Sequence, residues 1–356
     1  KVALVLTEAV SQAAAIVAGL VAALSAAGIR PEDITLVRAA GETSTASDPL
    51  SGLPAELRAS IVETIHDPAD RGALGYVAAS AAGDPIYINR AIYDADLAIT
   101  IGCLRLESSL GYHGIYTSLF PAFSDAASLN RFRSLRSSEP KEREQLRQIA
   151  DQAGWLLSAP FTVQVVPGAG DSVLQVLAGE TRAVFREGGK LCNEAWSFQV
   201  PQKADLVIAT ISGASQQTWD NVARALATAA TVVREGGAVA ICSELADEPG
   251  TALRRIAGAE DPAAALQSIG KHKPTDMQAT AEIVRALERG KVYLLSRLDE
   301  ELVENLGILP VQASQLSRLA ARYESCVLLE NAQHTSVSVG REHSPQPRST
   351  RSHSRT

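Results

Sequence analysis

The chain has 356 residues, 46% apolar and 21% charged, with 33 basic against 40 acidic residues and a net charge of −7. That balance excludes general nucleic-acid binding, which needs a basic surface. No apolar run reaches the roughly 18 residues of a membrane span, and the length suits two domains of about 150 residues each. The four cysteines, Cys103, Cys192, Cys242 and Cys326, are widely spaced with no CxxC pair. They read as reduced thiols of a cytoplasmic protein without a zinc-type site.

The chain starts at Lys1 and strand-like residues follow at once, so a missing N-terminal piece is expected. Val2–Leu6 reads as a strand, Ser11 as the cap of a helix to about Ala27, Gly28 as its stop, and Ile34–Val37 as the next strand. A strand–helix–strand unit of this kind implies a right-handed crossover and a parallel sheet. Neither turn contains GxGxxG, so a dinucleotide site has little support. Pro54–Thr64 reads as a short helix, and Tyr76–Ser80 with Pro85–Asn89 as two strands joined by a turn. Asp96–Gly102 is an almost unbroken apolar run, as expected of a strand covered on both faces. Ligands of open α/β sheets collect beyond the carboxyl ends of such strands. The following loop holds Glu107, Gly111, Tyr112, His113, Gly114, Tyr116 and Thr117, more polar and aromatic content than a connector needs.

Glu139–Ala153 reads as a charged amphipathic helix, Phe161–Val166 and Val173–Ala178 as a hairpin across PGAGDS, and Glu180–Gly188 as a helix. Near Pro201 the pattern restarts, and residues 199–333 alternate strand and helix, again predicting a mostly parallel sheet. The Ser/Arg/Pro-rich stretch from His334 reads as a disordered tail over 334–356. The expected organisation is therefore α/β: two mostly parallel-sheet domains, 1–198 and 199–333, with a cleft between them.

Three segments carry a resemblance: GDPIYINRAIYDADLAITIG with the Gly111-Tyr112 loop and Pro121, AGETRAVFREGG at 178–189, and KADLVIATISG entering the second domain. Together they resemble the nickel-dependent lactate racemase (LarA-like) family. The resemblance implies racemisation or epimerisation of 2-hydroxy acids, and a nickel-pincer nucleotide tethered to a lysine. It further implies a histidine metal ligand and two proton-moving histidines. At the corresponding positions this chain has Thr117 for the lysine, Thr43 and Glu107 for the two histidines, and Arg131 for the ligand. Thr43, Thr117 and Arg131 are thus the cofactor-facing positions, with the tether and ligand chemistry not kept. An Asp and an Arg expected after the first strand read as Glu8 and Ser11. A Gln and a Lys serving the site align with Asn221 and Arg224, the expected substrate contacts.

Three functions follow as expectations. The first is an isomerase of the hydroxy-acid racemase class with a rearranged site. His113 is then the new proton carrier, Glu107 its partner, and Arg224 the clamp for a substrate carboxylate. The second is a non-catalytic relative that binds a small carboxylated ligand or a partner protein in the cleft. The third places a hard cation among Glu8, Glu42 and Glu107.

Overall fold

The structure, a computed structural model, describes residues 1–7, 10–39, 48–80, 83–107, 111–134, 139–157, 159–269 and 274–340. The first half runs β1 (Val2–Leu6), α1 (Ala13–Ala26), β2 (Ile34–Ala39), α2 (Ala55–Ser60), β3 (Val62–His66), β4 (Leu74–Ala79), β5 (Pro85–Asn89), α3 (Arg90–Tyr93) and β6 (Leu97–Cys103). It continues with α4 (Ala126–Phe132), α5 (Pro140–Leu156), β7 (Phe161–Pro167), β8 (Val173–Glu180) and α6 (Thr181–Trp196). The second half runs β9 (Ser197–Val200), β10 (Ala204–Thr210), α7 (Trp219–Val232), β11 (Val233–Cys242), α8 (Thr251–Ile256), α9 (Pro262–Ile269) and α10 (Met277–Arg289). It closes with β12 (Lys291–Leu295), α11 (Glu300–Asn305), β13 (Leu309–Pro310), α12 (Leu316–Ala320), β14 (Cys326–Leu329) and β15 (Ser336–Val339).

β1 to β3 and β6 to β8 form a six-stranded sheet in the order β3-β2-β1-β6-β7-β8, parallel except for β8 against β7. Its central strand β1 is buried at every position, which explains the unbroken VALVL run. The second sheet has the order β13-β12-β11-β10-β14 and is all parallel. Strand order reverses between β1 and β6 in the first sheet and between β10 and β14 in the second. Crevices form at such switch points because the two flanking connections leave in opposite directions.

The halves are joined by specific polar contacts. In the β7–β8 turn, the Asp171 carboxylate accepts from Ala214 N (2.7 Å), Ser215 N (3.2 Å) and the Ser215 hydroxyl, just beyond β10. One residue earlier, Gly170 N donates to Asn331 Oδ1 at 2.9 Å, beyond β14. The expected PGAGDS turn thus ties the first sheet to both flanks of the second sheet's switch point.

Three expectations are corrected. Pro54–Thr64 is not one helix: α2 ends at Ser60, and the β-branched run Val62, Thr64, Ile65 extends as an edge strand parallel to β2. The first helix starts from Gln12 in left-handed conformation (φ 60°), without a side-chain cap from Ser11. The stretch from His334 is ordered to residue 340. β15 pairs in parallel with β9, Val337 is buried, and the Thr228 and Thr231 hydroxyls of α7 donate to the Thr335 and Val337 carbonyls. The alternating Ser-Val-Ser-Val segment was masked by the composition that follows it. Residues 341–356 lie outside the described residues.

Candidate functional site

A cavity of about 270 Å³ opens between the halves at the first sheet's switch point. Thr7, one residue past β1, and Cys103 and Arg105, at and beyond the end of β6, form one wall. Gly111 to Ile115, Thr117 and Ser118 form a second wall. Arg133, beyond α4, and Gln164, on β7, complete the first half's contribution. Asp220 and Arg224 of α7 and Gln278 of α10 reach in from the second half.

The second half's contribution is built by a short relay. The Thr218 hydroxyl caps α7 by accepting from Asn221 N at 3.2 Å. Asn221 is buried, and its Nδ2 donates to the Gln216 carbonyl (2.8 Å) and Gln216 Oε1 (3.2 Å). Its Oδ1 is then the acceptor for Arg224 Nη1 at 2.8 Å. One edge of the guanidinium is thereby held while the residue lines the cavity. Asp220, one turn earlier on the same face, faces Arg133 across the gap. Burial pushes the Arg133 guanidinium down from its ordinary value, and the Asp220 carboxylate opposes that push. Gln278 Nε2 donates to the Phe132 carbonyl at 3.0 Å, a second bridge between the halves.

His113 is buried and stands edge-on to Phe132 with ring centroids 5.7 Å apart. Neither ring nitrogen has a hydrogen-bond partner of good geometry among the described residues. Burial, reinforced by the Arg143 charge, pushes its pKa down to about 4, with the Arg143 backbone opposing. The ring is therefore neutral at pH 7. A second buried imidazole, His334, lies behind Arg105 in a tight space with Cys192 and Trp196. Its pKa is pushed down to about 3 by burial and then by the Arg105 and Arg224 charges. His66, by contrast, is structural: its Nε2 sits 2.8 Å from the Ser124 carbonyl and its Nδ1 3.2 Å from Asn89 Nδ2.

The expected site residues divide. His113, Thr117 and Arg224 line the cavity, and Asn221 supports Arg224 from behind. Thr117 Oγ1 donates to the Gly114 carbonyl, closing its own turn. Glu107 is not a cavity residue: it is exposed, 3.7 Å from Arg147, in a neighbouring cleft that His113 also borders. Its carboxylate is solvated and turned toward Arg147 rather than the cavity. Arg131 points away and pairs with Asp84 at the surface. Thr43, like Glu8 and Glu42, lies outside the described residues. Sequence reasoning missed Arg105, Arg133, Gln164, Asp220 and Gln278. Arg105 lay within the loop singled out after β6 and its position two residues past a buried strand end was the available signal. Arg133 had none, because α4 was not anticipated.

Residues 6–144 match the family described as the lactate racemase N-terminal domain. The fold is shared with the lactate racemase apoprotein from Thermoanaerobacterium thermosaccharolyticum, at a TM-score of 0.77 and 16% identity over 94% of this chain and 86% of that one. It is shared too with a Thermotoga maritima protein from structural genomics, at a TM-score of 0.72 and 15% identity over 95% and 93%. No curated protein matches the chain by sequence.

Proposed function

We propose, from the match of residues 6–144 to the lactate racemase N-terminal domain and from the shared fold, that this chain is a LarA-like protein that binds a small carboxylated ligand of the 2-hydroxy-acid class in the cleft between its sheets. The observation that carries this reading is the convergence of Arg105, Arg133 and Arg224 on a cavity of about 270 Å³ in which Asp220 is the one carboxylate among the described lining residues. Three guanidinium groups against one lining carboxylate in a confined space favour an anion, and guanidinium groups pair with carboxylates through two parallel hydrogen bonds. Arg224, held by Asn221, is the clamp. Gln164, Thr7 and Thr117 supply neutral partners for a hydroxyl.

The pincer nucleotide implied by the resemblance does not fit the groups present. The described lining residues include one imidazole and no lysine amine. Thr117, at the tether position, offers a hydroxyl already donated to Gly114 O. One observation favours a second reading, isomerisation at a rearranged site: His113 borders the cavity, and among the described residues neither ring nitrogen has a hydrogen bond of good geometry. With a pKa near 4 it is neutral and can accept a proton, but it is a weak base, and Glu107 does not stand opposite it.

Thermal unfolding with a panel of 2-hydroxy acids and sugar acids tests the binding reading. A ligand at a hundred times its Kd adds about 2.7 kcal/mol, a rise of roughly 4 °C at this chain length. Arg224→Met is expected to abolish the rise. No shift from any acid, or an unchanged shift in Arg224→Met, refutes the clamp. Turnover of one enantiomer that survives His113→Ala removes His113 from the second reading.

A further inference from the structure

Lined by first-half residues among those described, a groove of about 640 Å³ lies between α5, α6 and the 115–118 turn. That is within the range of pockets that take a small organic ligand. Its floor is Tyr116, seated directly on α5: a Cβ on Gly154 would lie 2.0 Å from the Tyr116 ring. Only glycine at 154 lets the ring lie there. Its rim carries Trp155, whose large apolar surface is 74% exposed, whereas Trp196 and Trp219 are buried. Phe185 faces it from α6.

Four charged side chains line this groove: Arg147 and Asp151 of α5, Arg182 of α6, and Glu180, whose carboxylate caps α6 by accepting from Arg182 N (3.0 Å) and Ala183 N (2.8 Å). Asp151 of α5 is exposed, yet partial desolvation of its carboxyl pushes it up, with Arg147 and Arg182 opposing. Arg147 is engaged by Glu144 at 3.0 Å and lies near Glu107. Arg182 and Asp151 are close enough to feel each other's charge, yet neither side chain makes a close ion pair among the described residues. A desolvated carboxylate gains from a cation that replaces its lost water, and a guanidinium without a close partner is ready for a carboxylate.

We propose that this groove is a second ligand site, for a small zwitterion with an aromatic or bulky apolar side chain, that is, the α-amino-acid class. The ammonium group sits on Asp151, the carboxylate on Arg182, and the side chain between Trp155, Phe185 and Tyr116. The site uses residues distinct from the arginines of the cleft. It shares only the Gly114–Ile115 segment with it, so the two readings stand or fall separately.

Calorimetry on the full chain, with Trp155 fluorescence as a second readout, tests it using phenylalanine, phenethylamine and 3-phenylpropionate. Phenylalanine is expected to bind and to change the fluorescence, and each half-ligand to bind at least tenfold more weakly. Trp155→Phe removes the fluorescence change. Asp151→Asn weakens phenylalanine and phenethylamine but leaves 3-phenylpropionate unaffected, whereas Arg182→Gln weakens phenylalanine and 3-phenylpropionate but leaves phenethylamine unaffected. All three substitutions are at the surface and spare the fold. No binding up to about 10 mM, or binding indifferent to both charge substitutions, overturns the proposal.

Discussion

Two of the three buried histidines among the described residues, His113 and His334, make the fold acid-sensitive in a defined window. His113 and His334 have folded-state pKa values near 4 and 3, below the ordinary 6.5. A depressed histidine contributes stability that is fully present above its unfolded pKa and lost as pH falls below it, because the unfolded state takes the proton first. From pH 7 to pH 5 each site therefore costs about 2 kcal/mol, roughly 4 kcal/mol together. The depressed carboxyls of Asp96, Asp205 and Glu180 begin to lose their contribution only below their own unfolded values of 3.8 to 4.5, so they are silent here. His66, also lowered by burial, adds with the same sign, and the raised Asp151 acts against it. Urea unfolding at pH 7 and pH 5 isolates each histidine through its Gln variant. The quantity read is the loss between the two pH values, so any constant cost of the substitution cancels. His113→Gln and His334→Gln are each expected to lose about 2 kcal/mol less than the parent chain over that interval. If either variant falls as far as the parent, that imidazole is not held neutral by burial, and the description of its surroundings is wrong.

Gly154→Ala sets a helix-propensity gain of about 1 kcal/mol against overpacking of about 1–3 kcal/mol, since Tyr116 would lie 2.0 Å from the new methyl. The urea midpoint is expected to fall, and Tyr116→Ala in the same chain to reverse most of the loss. Gly290→Ala has no such escape, because its Cβ meets the Gly237 carbonyl oxygen at 2.1 Å. It is expected to cost about 2 kcal/mol or more, seen as a lower Tm. Asp171→Ala removes the acceptor of three hydrogen bonds across the junction. The expected cost is about 2 kcal/mol, with faster amide exchange at Ala214 and Ser215. Asn221→Ala frees the Arg224 fork without removing its charge. Affinity for a hydroxy acid is expected to fall roughly tenfold, about 1.4 kcal/mol, less than for Arg224→Met.

Periodicity and strand chemistry made the alternation of β and α elements legible from residues alone. The apolar runs of β1, β6 and β10 and the hairpin turn at PGAGDS could be placed because their burial is dictated by near neighbours in the chain. The loop after β6 was identifiable as the place for chemistry by the same logic, and His113 and Thr117 do line the cavity there. Tertiary structure decided what linear order cannot encode. It turned Val62–His66 into an edge strand, since only β2 alongside supplies its ladder. It brought Ser336–Val339 back to β9, more than a hundred residues away in sequence. It also sorted the charged candidates, sending Glu107 to Arg147 and Arg131 to Asp84 while gathering Arg105, Arg133 and Arg224 from three separate segments. A residue's type states which partners it can take. Which partner it meets depends on how two switch points face each other, and that arrangement comes from packing between halves rather than from any local stretch.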